Sequence, residues 1–415
     1  MKILLVHQNF PGQFPRLSIA LRNRGHEVLA LTDPANERTT PIQVAKYKPL
    51  DLTRIGSGMH RHFAEACERG LRAGLAARAL RDKHGFVPDV ILGHSGWGET
   101  LFLKEVWPDA TLIVYSEMMF RSRGLDVGFD PEFADDPFNA GVRVTTRQAH
   151  LLQALAMADH GVTPTRFQRD SHPPMLHPKL TVLHDGIDTA RLAPNPQARL
   201  TLADGTELAA GQEILTFLSR SLEPYRGFHI FMRALPQILA ARPDARVVIV
   251  GKDKPSYGTA PKDAANWREW SLAEVGDRLD MSRVHFTGML PYGDYVNLLH
   301  VSRAHVYLTY PFVLSWSLLE SMAAGCQIIA SDTAPVREVM AHGDTGLLVD
   351  FFDVDALART VAGALADPTA GAERRARARQ HVLSRYRLED CLPRWIRLLE
   401  SRGQIAEEWP AFDRS

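Results

Sequence analysis

Two arginines, Arg220 and Arg226, stand in the segment SRSLEPYRG, directly after a run of β-forming residues. A guanidinium stays charged at any working pH and donates in a fixed fork, so a pair beside a strand-to-helix turn suits a phosphate or diphosphate. The plain alternative is two surface arginines, one of them paired with Glu223. A single acid, Glu320, interrupts the apolar helical run of YPFVLSWSLLESMAAG. It either binds a ligand or is solvated and serves the helix dipole. Gly12, in FPGQFP, lets backbone N–H groups approach an anion closely, or simply makes a tight turn. His94 follows the run DVILG and is placed to meet a ligand at a strand end, where a satisfied, partly buried histidine is the alternative. Glu99 and Glu117 also fall near strand ends, while His184, Asp185 and Gly186 read as ordinary turn chemistry.

Short β-like runs alternate with helical patterns throughout, which predicts an α/β chain with parallel sheets covered by helices. Strands are expected at Ile3–Val6, Glu27–Leu31, Asp89–Leu92, Ala110–Tyr115, His160–Thr163 and Leu180–Leu183, with helices at Phe63–Lys83 and Arg147–Ala158. After a polar, turn-rich stretch from Ala193 to Gly211 the pattern restarts, with strands at Ile214–Leu218, Arg246–Val250, Val284–Phe286, His305–Tyr310, Gln327–Ala330 and Gly346–Val349. Each half thus opens with an apolar strand running into a Gly/Pro turn, HQNFPGQF and SRSLEPYRG. Two doubly wound domains of this kind would put both turns at the ligand-binding ends of their sheets. Met118–Gly141 lacks a clear period and reads as a mobile or functional loop, a candidate acceptor region. The tail from Leu392 to Trp409 reads as a helix that could cover a neighbouring domain with Trp395, Ile396, Leu398 and Leu399.

Bulk properties exclude several classes. The chain of 415 residues carries 48 basic and 48 acidic side chains, so no net field attracts nucleic acid. Cys67, Cys326 and Cys391 are far apart and unpaired in spacing, which suits a reducing, cytoplasmic compartment and offers no metal cluster. The start, MKILLVHQNF, reads as a first strand instead of a signal peptide. No apolar stretch approaches the length that spans a bilayer, so any membrane contact would be peripheral. Neither a Ser-His-Asp order, a Walker loop nor GxGxxG occurs.

In order along the chain, QNFPGQF, VLHDGIDTARL, SRSLEPYRG, VHFTGMLPYGDY, YPFVLSWSLLESMAAGCQIIASD and APVREVMAHGDTGLLVD resemble the retaining glycosyltransferases of family 4, whose fold is called GT-B. The resemblance covers most of the second half and mainly the start and end of the first. It implies two Rossmann-like domains facing a cleft: an acceptor-side domain over 1–192, joined by a C-terminal helix within 390–415, and a donor-binding domain over 193–389. It further implies a metal-independent hexosyltransferase with no cofactor. The donor would be a UDP- or GDP-sugar, and the acceptor a hydroxyl of a glycan, a lipid-linked compound or a small molecule. The carried-over roles are diphosphate binding for Arg220 and Arg226, ribose binding for Glu320, close approach to diphosphate and sugar for Gly12, and a place near the reacting centre for His94. Backbone around Met289 and Leu290 would meet the nucleobase. Family members usually have lysine where Arg226 stands, and a second glutamate where this chain has Phe312. Backbone of Val313, Leu314 and Ser315, or the Ser315 and Ser317 hydroxyls, would then take over the missing carboxylate's contacts. The Phe312 departure leaves two alternatives open, a non-catalytic nucleotide-sugar-binding protein and a nucleotide-sugar epimerase.

Overall fold

The computed structural model describes residues 1–367, 369 and 371–404. The chain divides into two compact units, Met1–Gly186 with the segment from Glu389 onward, and Ile187–Leu388. The first crossing therefore falls a few residues before the position 192 suggested by the sequence. At that point Ile187 pairs with Arg387, donating its N–H to Tyr386 O and accepting from Leu388 N, which draws both chain passages into the second unit.

The first unit holds a seven-stranded sheet built from β1 (Lys2–Val6), β2 (Glu27–Thr32), β3 (Gln43–Lys46), β4 (Val90–His94), β5 (Thr111–Tyr115), β6 (His160–Thr163) and β7 (Leu180–Val182). All pairs are parallel, in the order β3-β2-β1-β4-β5-β6-β7. The central strands β1, β4 and β5 are apolar on both faces, as burial between two helical layers requires. Ile3 and Leu5 enter one buried cluster while Leu4 and Val6 enter the other, so the period-two alternation of β1 feeds a core on each side. The helix Leu388–Glu400 contributes Trp395, Ile396, Leu398 and Leu399 to the first of these clusters. Trp409, at the end of the helix expected from the sequence, lies outside the described residues.

The second unit opens with an antiparallel hairpin, β8 (Arg199–Thr201) and β9 (Glu207–Ala209), inside the stretch the sequence reads as polar linker. Its turn is carried by Asp204-Gly205, with Gly205 at φ +85°. A six-stranded parallel sheet follows: β10 (Ile214–Ser221), β11 (Arg246–Lys252), β12 (Val284–Gly288), β13 (Ala304–Tyr307), β14 (Gln327–Ser331) and β15 (Leu347–Val349), ordered β12-β11-β10-β13-β14-β15. In each sheet the strand order reverses beside the first strand, between β1 and β4 and again between β10 and β13. Ligands of open parallel sheets bind at such switch points, beyond the carboxyl ends of the strands.

Two expectations are corrected here. The helix placed at Arg147 begins at Pro137 and runs to Met157, with Asp136 accepting from Asn139 N as its cap. Proline at the first helical position is a start signal there, where the sequence reading took it as part of a loop. The preceding run is also largely tied down. Met118, Met119, Asp126 and Asp130 are buried, and Arg121 donates to the carbonyls of Asp170, Ser171 and His172.

Candidate functional site

In the second unit the candidates gather around the ends of β10 and β13. β10 loses regular register between Leu218 and Ser221, and Arg220 projects from this irregular stretch into solvent. The chain then makes a short turn, Pro224–Arg226, and enters the helix Phe228–Ala241 through Gly227. Gly227 has φ +65°, and a Cβ there would lie 2.4 Å from Leu308 Cβ, so only glycine lets this turn pack on the end of β13.

Arg226 is not a surface arginine. It is 6% exposed, and its Nη1 donates to Thr309 Oγ1 (3.0 Å) and to Val313 O (2.9 Å). The rings of Tyr257 and Phe312 lie against it, each with its centroid 5.4 Å from Cζ. Burial disfavours its charge, but the neighbouring Tyr307, Tyr257 and Glu223 outweigh that and hold the pKa above its ordinary value. Among the described residues it has no ion-pair partner. The expected alternative, an arginine paired with Glu223, also fails. Glu223 is fully buried, and its two oxygens accept from the backbone N–H groups of Ser256, Tyr257 and Gly258, at 2.8–3.3 Å.

Glu320 lies on the helix Trp316–Ala324, which follows the loop after β13 and is capped by Ser315 Oγ accepting from Ser317 N. Its Oε1 accepts from Tyr292 OH (3.1 Å) and its Oε2 from Tyr295 OH (2.6 Å). Burial raises the carboxyl pKa, and the two tyrosine hydrogen bonds act against that rise. Tyr292 and Tyr295 stack on one another at 5.7 Å, with the Arg191 guanidinium 4.6 Å from the Tyr292 ring. Met289 is half-exposed and Leu290 adjoins it in the turn after β12, where Gly288 takes φ +65°.

The backbone groups expected to replace the missing carboxylate are mostly engaged. Val313 O accepts from Arg226, Ser315 N donates to Tyr307 OH (2.9 Å), and Ser317 Oγ donates to Ser315 Oγ (3.0 Å). Leu314 is buried. Phe312 itself is 1% exposed, edge-on to Tyr225 (5.2 Å) and Tyr257 (4.8 Å).

In the first unit Gly12, in the turn after β1, and His94, the last residue of β4, flank the switch point. Gly12 has φ +51°, and a Cβ added there would sit 2.3 Å from Nε2 of His7. His94 is buried and stacked between Trp97 (4.6 Å) and Tyr115 (5.4 Å), with His7 edge-on at 5.2 Å. Its Nδ1 accepts from Gly96 N (3.0 Å), which puts the ring proton on Nε2 and makes that atom a donor. His7 repeats the arrangement, accepting from Asn9 N at 2.9 Å, and so does His184, accepting from Gly186 N at 3.0 Å. Tyr115 OH donates to Asp185 (3.1 Å), so the HDG segment does more than turn the chain.

Glu99 is wholly buried, away from this stack, and accepts from Tyr47 OH (3.0 Å) with Arg69 Nε 3.8 Å away. Burial pushes its pKa up to about 7. Glu117 is half-buried, and its carbonyl oxygen accepts from Gln168 Nε2 (2.8 Å).

The tyrosines on Glu320, Tyr257 and Thr309 at Arg226, and His7 beneath Gly12 escaped the sequence reading. Tyr292 and Tyr295 carried a signal, since hydroxyls three residues apart share one helix face and a lone acid on an apolar helix needs donors. Tyr257, distant in sequence and within a polar loop, carried none.

Two α/β units, each built on a parallel sheet with polar candidates at its switch point, are the architecture of the GT-B fold. Residues 24–192 match the glycosyl transferase family 4 group, and residues 202–382 match the glycosyl transferases group 1. The chain is 25% identical to a glycogen synthase of Mycobacterium tuberculosis over 93% of its length and 91% of the relative's. It is 33% identical to a phosphatidyl-myo-inositol mannosyltransferase of Mycolicibacterium smegmatis over 48% of its length and 46% of the relative's. Among solved structures, sucrose-phosphate synthase of Thermosynechococcus elongatus superposes with a TM-score of 0.72 at 18% identity, covering 97% of this chain and 98% of that one. Anabaena HepE in complex with UDP-glucose superposes with a TM-score of 0.67 at 16% identity, covering 97% and 100%. The protein belongs to the group 1 glycosyltransferases of family 4.

Proposed function

We propose that this glycosyltransferase is a retaining enzyme that moves a hexose-like unit from a UDP- or GDP-sugar to a hydroxyl of a glycan, a lipid-linked compound or a small molecule. The observation that carries this reading is Arg226, a buried guanidinium with neutral hydrogen-bond partners and no ion pair among the described residues, beside the exposed Arg220 at the end of β10. A buried guanidinium that forms no direct ion pair is free to take one from an anionic ligand. Arg220, Arg226 and the N-terminus of the helix Trp316–Ala324 would hold the donor's diphosphate and stabilise the charge that develops as it leaves, without a metal. Glu320 would accept the ribose hydroxyls while its two tyrosines hold it in place. Met289 and Leu290 would offer backbone to the base, with Val313, Leu314 and Ser315 lining the donor side.

The second unit is thus the donor side and the first the acceptor side. Gly12 would bring backbone N–H groups to the diphosphate and sugar, and His94 would donate from Nε2 near the reacting carbon. In a front-face transfer the bond from the anomeric carbon to the phosphate oxygen breaks and a bond to the acceptor oxygen forms on the same face. The departing phosphate oxygen takes the acceptor's proton, so no protein base is needed. HepE in complex with UDP-glucose and the phosphatidyl-myo-inositol mannosyltransferase support a nucleotide-sugar donor and a lipid-linked acceptor. Among the described residues no helix is long and apolar enough to cross a membrane, and no disulfide is formed. A cytoplasmic enzyme meeting a lipid-linked acceptor at the membrane surface fits both facts. Alanine at Arg220 and Arg226 tests the assignment: donor turnover should collapse, and unchanged turnover would sink the diphosphate role.

A further inference from the structure

We propose that Glu223 is a positioning residue of the donor side: its buried carboxylate folds the loop after β11 so that Tyr257 bears on Arg226, and through that contact it sets how firmly the site holds a diphosphate. This rests on the reading of Arg226 as a diphosphate residue.

Glu223 is fully buried at the head of the turn Pro224–Arg226 and forms no ion pair among the described residues. Its carboxylate instead takes three successive backbone N–H groups. Oε1 accepts from Ser256 (3.2 Å) and Tyr257 (3.3 Å), and Oε2 from Tyr257 (3.2 Å) and Gly258 (2.8 Å). Consecutive N–H groups turned to one side make a hollow for an anion, and here the anion belongs to the chain itself. The loop, residues 253–266, has no helix or strand of its own between β11 and the helix Trp267–Val275. Two further bonds tie it down: Ser256 Oγ lies 2.6 Å from Ser221 Oγ, and Trp267 Nε1 donates to Thr259 O (2.9 Å). The first of these again joins it to the end of β10. The Tyr257 ring is thereby set with its centroid 5.4 Å from Cζ of Arg226. Burial disfavours the Arg226 charge, and Glu223 is one of the neighbours, with Tyr307 and Tyr257, that outweigh this. Glutamine has the same shape but cannot do this work. It offers one acceptor oxygen to three donors and turns an NH2 group toward the rest, leaving buried N–H groups unmatched.

The test uses Glu223→Gln, Tyr257→Leu and the double variant in the full chain. Calorimetry with inorganic pyrophosphate, UDP and GDP gives the dissociation constant and the number of sites separately, and melting is followed without ligand. Glu223→Gln should weaken each probe at least about tenfold with the number of sites kept. A merely structural role would lower the melting temperature and the number of sites and leave the dissociation constant where it was. Tyr257→Leu, at a half-buried position, should weaken the same probes. The loss in the double variant should fall at least about threefold short of the product of the two single losses, because both act through one contact. Parent-like dissociation constants in Glu223→Gln, or losses that multiply in full, overturn the positioning role and leave the diphosphate role standing. Should Glu223→Gln fail to fold, Tyr257→Leu decides alone, and parent-like binding by it overturns the proposal. A parent protein that binds none of the three probes overturns the diphosphate role itself, and the positioning role with it.

Discussion

Replacing Gly12 by alanine asks two separate things of the first unit. The backbone there has φ +51°, and a left-handed conformation costs a residue with a Cβ about 1–2 kcal/mol. The new carbon would also lie 2.3, 2.4 and 2.5 Å from Nε2, Cε1 and Cδ2 of His7. The ring would have to retreat by on the order of 1 Å in a close-packed interior. It has little room to do so. Phe14, His94 and Trp97 surround it with centroids 5.0–5.9 Å away, and its nitrogens are tied to Asn9 N and to Gln13 Oε1 (2.6 Å). Overpacking of this kind costs about 1–3 kcal/mol, for a total of about 2–5 kcal/mol. Gly25 supplies the control, since it has φ +85° and nothing within 4 Å of a built Cβ. Gly25→Ala should therefore show only the backbone cost of about 1–2 kcal/mol. Scanning calorimetry that follows the transition of the first unit should place Gly12→Ala several degrees below Gly25→Ala, at about 2–4 °C per kcal/mol for a unit of this size. Sugar transfer should fall as well, because the displaced ring presses on His94. Equal melting of the two variants would refute the account of a turn seated directly on His7.

Glu99 predicts a pH dependence of stability. Its pKa rises from 4.5 to about 7 on burial, so the folded state binds its proton more tightly than the unfolded state. The contribution is then fully present below pH 4.5 and lost as the pH climbs to 7, up to about 3 kcal/mol in all. Glu99→Gln should flatten this slope in urea titrations at several pH values, while a slope equal to that of the parent would rule Glu99 out as its source. At Glu320, Tyr295→Phe removes a charge-assisted hydrogen bond of the kind worth about 1.5–3 kcal/mol. The carboxyl, already raised by burial, should then protonate more readily. On the proposal that the ionised Glu320 holds the ribose, the rise in donor KM on acidification should begin at higher pH in this variant, and coincident KM profiles would argue against Glu320 as the ribose ligand.

The architecture was legible because parallel strands buried on both faces leave unbroken apolar runs. β1, expected at Ile3–Val6, runs from Lys2 to Val6. The short edge strand Gln43–Lys46 is largely exposed and leaves no such run, and it went unseen. The hairpin at Arg199–Ala209 hid inside polar sequence, although Asp204-Gly205 is a hairpin turn signal. At the candidate site, residue types singled out Arg226 and Glu320 but not their surroundings. An arginine with charge to donate looks the same in sequence whether it sits in solvent or between two rings. Only the fold brings Tyr257 and Phe312 to one guanidinium, or sets two tyrosines of one helix against an acid of the next.

The repeated lock on His7, His94 and His184 bears on how protons can move. In each, a backbone N–H two residues on occupies Nδ1, so taking up a proton there means breaking a bond that shapes the turn. Burial drives His184 further the same way, down to about 4. The ends of β1, β4 and β7 thus each carry an imidazole whose Nδ1 shapes a turn and whose Nε2 is left to give a hydrogen bond. Of these rings His184 would stay neutral through mild acid, so a pH response at the end of β7 would have to be written elsewhere, in carboxyls or in a released phosphate.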